Sequence, residues 1–302
     1  MRAMPRLSGT CPILVTGMPR SGTTWLARLL ASAPGAAMTG REPMNPHHRQ
    51  YALAGTLRGW AELTDLNRRQ ERALRLAYRG LTPWVFGRYG RRQWAAPAPW
   101  TRLVVKDPFA MLSIPTIART TGAQVVLLYR HPAAALVSYR RMGWRPSVHE
   151  VRPVQETHRR EHGGNGRVAL SDAGERGPAE TIAYFWSALY EIAMDHAAET
   201  DSLLVVSHEE LSGGGDSAAR QLFGRLGLRW NEQARAEMVR ETQQPNAADI
   251  RPERALHDFD RAPSEVASAW RERLSSDELL AIERVTHDVR VRLDAARLRL
   301  HD

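Results

Sequence analysis

The fold is indicated by residues 13–26, which read ILVTGMPRSGTTWL. A short apolar run leads into a loop with two glycines, Gly17 and Gly22, and a helical pattern follows. Such a strand–loop–helix unit directs backbone N–H groups and the positive end of a helix dipole toward an anion. The glycine spacing is that of the nucleotide-binding P-loop, but Thr23 stands in place of its lysine and Arg20 supplies the positive charge. The loop therefore predicts a site for an anionic ligand that needs no obligatory metal.

Three further apolar runs have the composition of buried parallel strands. They are Leu103–Val105, Val125–Tyr129 and Leu203–Val206, and helical patterns separate them from each other and from Ile13–Thr16. Nearly continuous runs of Val, Leu and Ile are typical of strands covered on both faces. We therefore expect an α/β protein with a P-loop-like three-layer fold, in which a central parallel sheet is flanked by helices.

The spacing of apolar residues also predicts the helices and the organisation of the chain. Recurrence at three and four residues predicts helices at Thr24–Ala31, Leu63–Arg79, Ala179–Thr200, Ala218–Leu226, Asn231–Glu241 and Ser276–Leu298. Two stretches interrupt the alternation of strand and helix: a helical insert at about 43–100, and a glycine-bearing segment at about 145–178 that we expect to be a mobile loop or lid. No linker divides the chain, so one domain over residues 1–302 is expected.

Composition narrows the class of ligand. The chain has 42 Lys and Arg residues against 33 Asp and Glu, a net charge of +9, which favours anionic ligands. The basic residues are scattered, so we expect no nucleic-acid partner. All of them except Lys106 are arginine. With a single cysteine, Cys11, and no apolar run long enough for a transmembrane helix or a signal peptide, we expect a cytoplasmic protein.

Residues 19–25, PRSGTTW, resemble the P-[KR]-S-G-T-T-W loop of sulfotransferases that use 3′-phosphoadenosine 5′-phosphosulfate (PAPS), of the bacterial and carbohydrate type. The resemblance implies that PAPS is the sulfuryl donor and that no metal is required. It further implies that the 5′-phosphosulfate is bound by Arg20, Ser21, Gly22, Thr23 and Thr24, and that adenine stacks on Trp25. From the residues alone, packing of Trp25 into the core is an equally good interpretation.

A second anion site is indicated where the third apolar run ends. Arg130 follows that run, and Ser138 lies eight residues later on an expected helix. This pair is similar to the 3′-phosphate signature of the same family, and a guanidinium with a hydroxyl suits a phosphate group. The family's C-terminal R-K-G triplet has no clear counterpart, and Arg261 or Arg271 is a candidate replacement.

Sulfuryl transfer needs a base for the acceptor hydroxyl and positive charge for the leaving phosphate. Lys106-Asp107-Pro108 is similar to the K-[ST]-P of carbohydrate and bacterial members, and Lys106 is the expected cation. Pro108 stands where other members carry a catalytic histidine, which excludes a histidine base there. Glu42 is the preferred base because related members place a glutamate soon after the first helix, and Asp107 is the alternative.

Three functional hypotheses follow. The preferred one is a sulfotransferase acting on a glycan, glycolipid or secondary-metabolite hydroxyl. The alternatives are a P-loop nucleotide kinase or NTPase, with Asp107 holding magnesium, and a non-catalytic nucleotide-binding protein. The sequence leaves the acceptor and the oligomeric state open. His158 and His162 match the H-x-x-E-H pattern of zinc proteases, but the GGNG that follows disfavours the stable helix such a site needs, so no metal site is expected.

Overall fold

The computed structural model describes residues 11–40, 42–46, 53, 56–57, 59–81, 100–162, 176–243 and 270–300. These residues build a five-stranded sheet with the order β2-β3-β1-β4-β5. Every adjacent pair of strands is parallel. The strands are β1 (Ile13–Thr16), β2 (Ala36–Met38), β3 (Arg102–Lys106), β4 (Gln124–Tyr129) and β5 (Leu203–Ser207).

Helices cover both faces of this sheet. In chain order they are α1 (Thr23–Ala31), α2 (Arg68–Tyr78), α3 (Ile114–Thr121), α4 (Pro132–Met142), α5 (Val148–His162), α6 (Pro178–Ala198), α7 (His208–Gly213), α8 (Gly215–Leu226), α9 (Glu232–Gln243) and α10 (Ser276–Ala296). A 3₁₀ helix, Pro108–Leu112, follows β3. The predicted three-layer α/β fold is confirmed.

Alternation along the strands divides the core into two parts. Leu14 and Val125 point to the face covered by α4, α6 and α10, whereas Val15 and Val126 point to the face covered by α1 and α8. Because both faces are covered, β1, β3 and β4 are buried along their whole length. Continuous apolar runs are the sequence expression of this burial.

One strand was not predicted from the sequence. The edge strand β2 has only three residues, two of them alanine, which is a poor strand former. It forms because Ala36 and Met38 align with Arg102 and Val104 of β3. The pairing is a tertiary contact between segments far apart in the chain, so no local pattern marks it.

The segment at about 145–178 differs from the loop that we expected. Val148–His162 is helix α5, even though Pro153 lies inside it. Val151, Gln155 and His158 are buried, and contacts with α6 support the helix. Residues 163–175, which include the GGNG, lie outside the described residues, as do residues 82–99 of the predicted insert.

Side-chain caps set two of the helix starts. Asn67 accepts a hydrogen bond from the Gln70 amide, and the Gln70 side chain accepts one from the Asn67 amide, so α2 begins at Arg68 rather than at the predicted Leu63. Ser275 and Glu278 form the same capping box at the start of α10. Among the described helices, none is long and apolar enough to cross a membrane.

Candidate functional site

The strand order brings the polar residues at the carboxyl ends of four strands next to one another. The loop after β1 lies between the end of β3, which carries Lys106, and the end of β4, which is followed by Arg130. His208 follows β5 at the other side of β4. In open parallel sheets, ligands bind at this edge.

The backbone of the loop between β1 and α1 is folded tightly. Gly22 has φ +96° and Arg20 has φ +74°, the one non-glycine residue with positive φ in the described chain. The Ser21 amide donates to the Met18 carbonyl at 3.1 Å, which closes the turn. Gly22 is the N-cap of α1, and no side chain caps that helix. No side chain therefore occupies the first amides of α1, which are groups able to bind an anion.

Tyr190 of α6 fixes the start of the loop. Its hydroxyl accepts a hydrogen bond from the Met18 amide at 3.2 Å and donates one to the Leu128 carbonyl at 2.8 Å. Gly17 lies so close to β4 that a Cβ there would come within 2.1 Å of the Leu128 oxygen. The loop can follow this path only because residue 17 has no side chain.

The two predicted anion sites meet at one hydrogen bond. Arg20 Nε donates to Ser138 Oγ at 3.0 Å, joining residues that are 118 positions apart in the chain. Ser138 lies on α4, the helix that begins directly after Arg130 and His131. The Arg20 guanidinium also lies 5.6 Å from the ring centre of Trp144, a half-exposed residue just beyond α4. Arg20 therefore stands between the loop and α4.

Arg130 supplies a second guanidinium beside this junction. Its Nε is buried and has no hydrogen-bond partner in the described part of the chain. Burial lowers the pKa of Arg130, Glu209 opposes the shift, and Arg20 adds to it. Glu209 is held in place by the His131 amide, which donates to its Oε1 at 3.0 Å. A buried, unsatisfied guanidinium donor beside a second arginine is an arrangement suited to binding an anion.

Trp25 and His208 form the wall beneath the loop. Their ring centres are 5.2 Å apart, and Trp25 is only 8% exposed because most of its indole packs in the core on the α1 side. A Cβ at Gly22 would lie 2.5 Å from His208 Cδ2. Burial and then the nearby Arg130 lower the pKa of His208 well below its usual value, so the imidazole beneath the loop is neutral.

Lys106 and Glu42 form an ion pair at the end of β3. Their side chains are 9% and 16% exposed, so the pair is nearly enclosed. Asn45 donates a hydrogen bond to the second oxygen of the Glu42 carboxylate. The structure thus places a carboxylate and an ammonium in contact, with the carboxylate oriented by a neighbouring amide.

Asp107 is adjacent in sequence but lies in a different environment. Its side chain is fully buried, and it accepts hydrogen bonds from the Met44 amide at 2.5 Å and from the Phe109 amide at 3.1 Å. Burial, followed by the nearby charge of Glu42, raises the pKa of Asp107 well above its usual value. Asp107 therefore anchors the segment that carries Glu42 and starts the 3₁₀ helix, with both oxygens engaged.

Several residues at this edge were not assigned a role from the sequence. Tyr190 and Glu209 act through hydrogen bonds to distant segments of the chain, whereas Asn45 binds Glu42 three residues away within one turn. Of the two candidates for the missing R-K-G triplet, Arg261 lies outside the described residues. Arg271 packs 5.2 Å from the ring centre of Trp270, which in turn stacks on His131 at 4.3 Å, so Arg271 is close to the second anion site.

Comparison with protein-family models identifies the chain's relatives. The model of the sulfotransferase family matches residues 12–232, most of the chain, including the loop, Lys106 and the Arg130–Ser138 segment. The chain belongs to the sulfotransferase family. Among curated proteins, no sequence matches it significantly.

Solved structures of sulfotransferases have a similar fold. The sulfotransferase domain from the curacin biosynthetic pathway is 16% identical, with a TM-score of 0.50 over 93% of this chain and 98% of that domain. The sulfotransferase domain of the Synechococcus PCC 7002 olefin synthase is 18% identical, with a TM-score of 0.45 over 93% of this chain and 97% of that one. Mouse sulfotransferase SULT7A1, solved in complex with 3′-phosphoadenosine 5′-phosphate (PAP), is 13% identical. Its TM-score is 0.43, over 95% of this chain and 88% of that one.

Proposed function

We propose that this sulfotransferase uses PAPS as its donor and transfers the sulfuryl group to a hydroxyl of a glycan, a glycolipid or a secondary metabolite. The observation that carries the proposal is the 3.0 Å hydrogen bond between Arg20 and Ser138. It connects the β1–α1 loop with the middle of α4, the helix that follows Arg130. A nucleotide with an anionic group on each side of its ribose matches two such adjacent sites.

In this proposal the two anion sites divide the donor between them. The amides of the loop and of the first turn of α1, together with Arg20, Ser21, Thr23 and Thr24, bind the 5′-phosphosulfate. Arg130 and Ser138 bind the 3′-phosphate, which supplies the acceptor that Arg130 Nε lacks. Adenine then lies toward the end of β5, and Trp25, which is 8% exposed and packs in the core, offers little surface for stacking.

The chemistry is assigned to the ion pair at the end of β3. Glu42 accepts the proton of the acceptor hydroxyl, and the acceptor oxygen forms a bond to sulfur. The bond between sulfur and the bridging phosphate oxygen breaks, and its electron pair stays on that oxygen. Lys106 and Arg20 stabilise the negative charge that develops there. Asn45 keeps the Glu42 carboxylate oriented toward this reaction.

The environment of Asp107 favours this function over a nucleotide kinase. A kinase of this fold needs a carboxylate that holds magnesium. Both oxygens of Asp107 accept backbone hydrogen bonds, and its side chain is fully buried. Its place in the structure supports an anchoring role, which leaves Glu42 as the better base.

The donor is tested by thermal shift with two ligands, 3′-phosphoadenosine 5′-phosphate (PAP) and ATP with magnesium. At 100 times its dissociation constant, PAP is expected to stabilise the protein by about 2.7 kcal/mol. A shift with ATP–magnesium alone contradicts the proposal. Binding of PAP without transfer of labelled sulfate from PAPS to any member of a broad hydroxyl panel supports a non-catalytic nucleotide-binding protein instead.

A further inference from the structure

A second cluster of polar side chains lies outside the strand-end site, among the helices. It contains Glu62, which precedes α2, His158 of α5 and His196 of α6. Glu62 Oε1 is 2.9 Å from His158 Nδ1 and 3.0 Å from His196 Nε2. All three side chains are more than nine-tenths buried. Three possible metal-ligand atoms, two nitrogens and one oxygen, therefore come together from three separate segments in an enclosed place.

The surroundings orient these donors. The other ring nitrogen of His158, Nε2, is 3.1 Å from Asp195 Oδ2, so Nδ1 is the nitrogen that faces Glu62. Asp195 is held by Arg292, whose Nη2 donates to Oδ1 at 2.7 Å. The Leu112 carbonyl oxygen, 3.2 Å from His196 Nε2, is a further oxygen donor beside the cluster. A carboxylate behind an imidazole is the usual outer partner of a metal-ligating histidine in proteins.

The motif noticed in the sequence contributes only one of its histidines. His158 is enclosed, whereas His162 is on the exposed side of α5. His162 stacks on His158 with ring centres 4.2 Å apart and directs Nδ1 to the His158 carbonyl at 3.0 Å. The other donors come from Glu62 and His196, so the site differs from that of a zinc protease.

We propose that Glu62, His158 and His196 bind one Zn²⁺ ion that has a structural role, distinct from the sulfuryl-transfer site, with the fourth coordination position open to water or to the Leu112 carbonyl oxygen beside His196. Two imidazoles and a carboxylate are donors that suit Zn²⁺. The two separations that involve Glu62, 2.9 and 3.0 Å, are a few tenths shorter than the roughly 3.3 Å edge of a tetrahedron with bonds of about 2.0 Å, and all three ligand atoms lie within 4.8 Å of one another. With one ligand from each, the ion connects the segment before α2 to helices α5 and α6.

The test is direct binding of Zn²⁺ to the purified full chain. After treatment with a chelator and its removal, the protein is titrated with Zn²⁺ against a chromophoric competitor, and melting is followed with and without the metal. We expect one Zn²⁺ per chain and a higher melting temperature with Zn²⁺. Because this measurement uses the unaltered chain and no sulfate donor, its outcome is independent of the proposed donor. Absence of stoichiometric binding overturns the proposal, and the cluster is then only a hydrogen-bonded one.

Three variants locate the ion. Glu62→Gln keeps the shape of the side chain and removes a charged ligand, so Zn²⁺ affinity is expected to fall at least tenfold. Asp195→Asn, behind His158, is expected to lower it about 10–100-fold. His162→Ala is the matched control, since this ring contacts His158 but offers no donor to the cluster, and it keeps the affinity of the unaltered chain. Equal loss in His162→Ala and Glu62→Gln overturns the assignment of ligands.

Discussion

Gly22 gives the sharpest test of the loop geometry, because two separate effects oppose a side chain there. Its φ of +96° is a conformation that L residues rarely adopt, and a Cβ would lie 2.5 Å from His208 Cδ2 and 3.0 Å from Nε2. Gly35 isolates the first effect, since its φ is +76° but a Cβ at that position would have no atom within 4 Å among the described residues. Comparing Gly22→Ala with Gly35→Ala therefore measures the packing between the loop and His208.

The expected magnitudes follow from these contacts. A left-handed backbone costs alanine about 1–2 kcal/mol, and the lower entropy of the unfolded alanine chain offsets about 0.4–1 kcal/mol of this. Overpacking against His208 adds about 1–3 kcal/mol in Gly22→Ala alone. At roughly 2–4 °C per kcal/mol, the melting temperature of Gly22→Ala should lie about 2–12 °C below that of Gly35→Ala. Affinity for PAP should also fall at least tenfold in Gly22→Ala only, because the added methyl displaces the amides of the first turn of α1.

A second substitution separates packing from backbone strain. Removing the imidazole in the double variant Gly22→Ala/His208→Ala should recover the overpacking part, giving a coupling energy of about 1–3 kcal/mol in a double-mutant cycle. Differential scanning calorimetry supplies the stabilities and isothermal titration with PAP the affinities. Equal melting temperatures for Gly22→Ala and Gly35→Ala, or zero coupling with His208→Ala, would refute the close packing of the loop against His208.

Three further predictions concern the nucleotide site, the base and a helix cap. Arg130→Gln should weaken PAP binding by about 1.5–3 kcal/mol, since a charge-assisted bond is lost, while Ser138→Ala should cost only about 1 kcal/mol; equal losses in titration calorimetry would contradict the assignment of Arg130. Glu42→Gln should lower the sulfation rate about 10²–10⁴-fold and leave PAP affinity unchanged, and normal turnover in a labelled-PAPS assay would exclude Glu42 as the base. Asn67→Ala should destabilise the protein by about 1 kcal/mol through loss of the α2 capping box, measured by urea unfolding, and an unchanged midpoint would argue against that cap.

The sequence predicts those features that depend on local patterns. β1, β3, β4 and β5 each contain a continuous apolar run. The loop after β1 is a motif whose residue types have conformational or electrostatic roles in binding an anion. The meeting of Arg20 with Ser138 was also predictable, because the carboxyl ends of parallel strands share one edge. Predicting these features requires no knowledge of distant contacts beyond that rule.

The features that escaped prediction depend on tertiary contacts. Helix α5 contains Pro153 and precedes a glycine-rich stretch, both of which indicate a loop, but burial of Val151 and the bonds of His158 to Glu62 and Asp195 support a helix. The orientation of Glu42 by Asn45 is also not marked in the sequence, since it depends on how the turn at 42–46 packs against the end of β3 through Lys106 and Asp107.

Because Glu42 and Asp107 are neighbouring carboxylates at this strand end, a loss of activity at either position has to be interpreted together with stability. In Asp107→Asn, one oxygen that accepts the Met44 or Phe109 amide is replaced by an NH₂ group, which leaves a buried donor facing another donor and costs about 1–3 kcal/mol. Because Met44 lies two residues from Glu42, the same change displaces the base, and turnover falls together with stability. Glu42→Gln leaves both backbone bonds of Asp107 in place but removes the charge that pairs with the nearly enclosed Lys106, so it also loses stability, and turnover is compared per folded protein. If Asp107→Asn instead retains the full melting temperature and PAP affinity but has no activity, Asp107 is the base and its anchoring role does not explain its position.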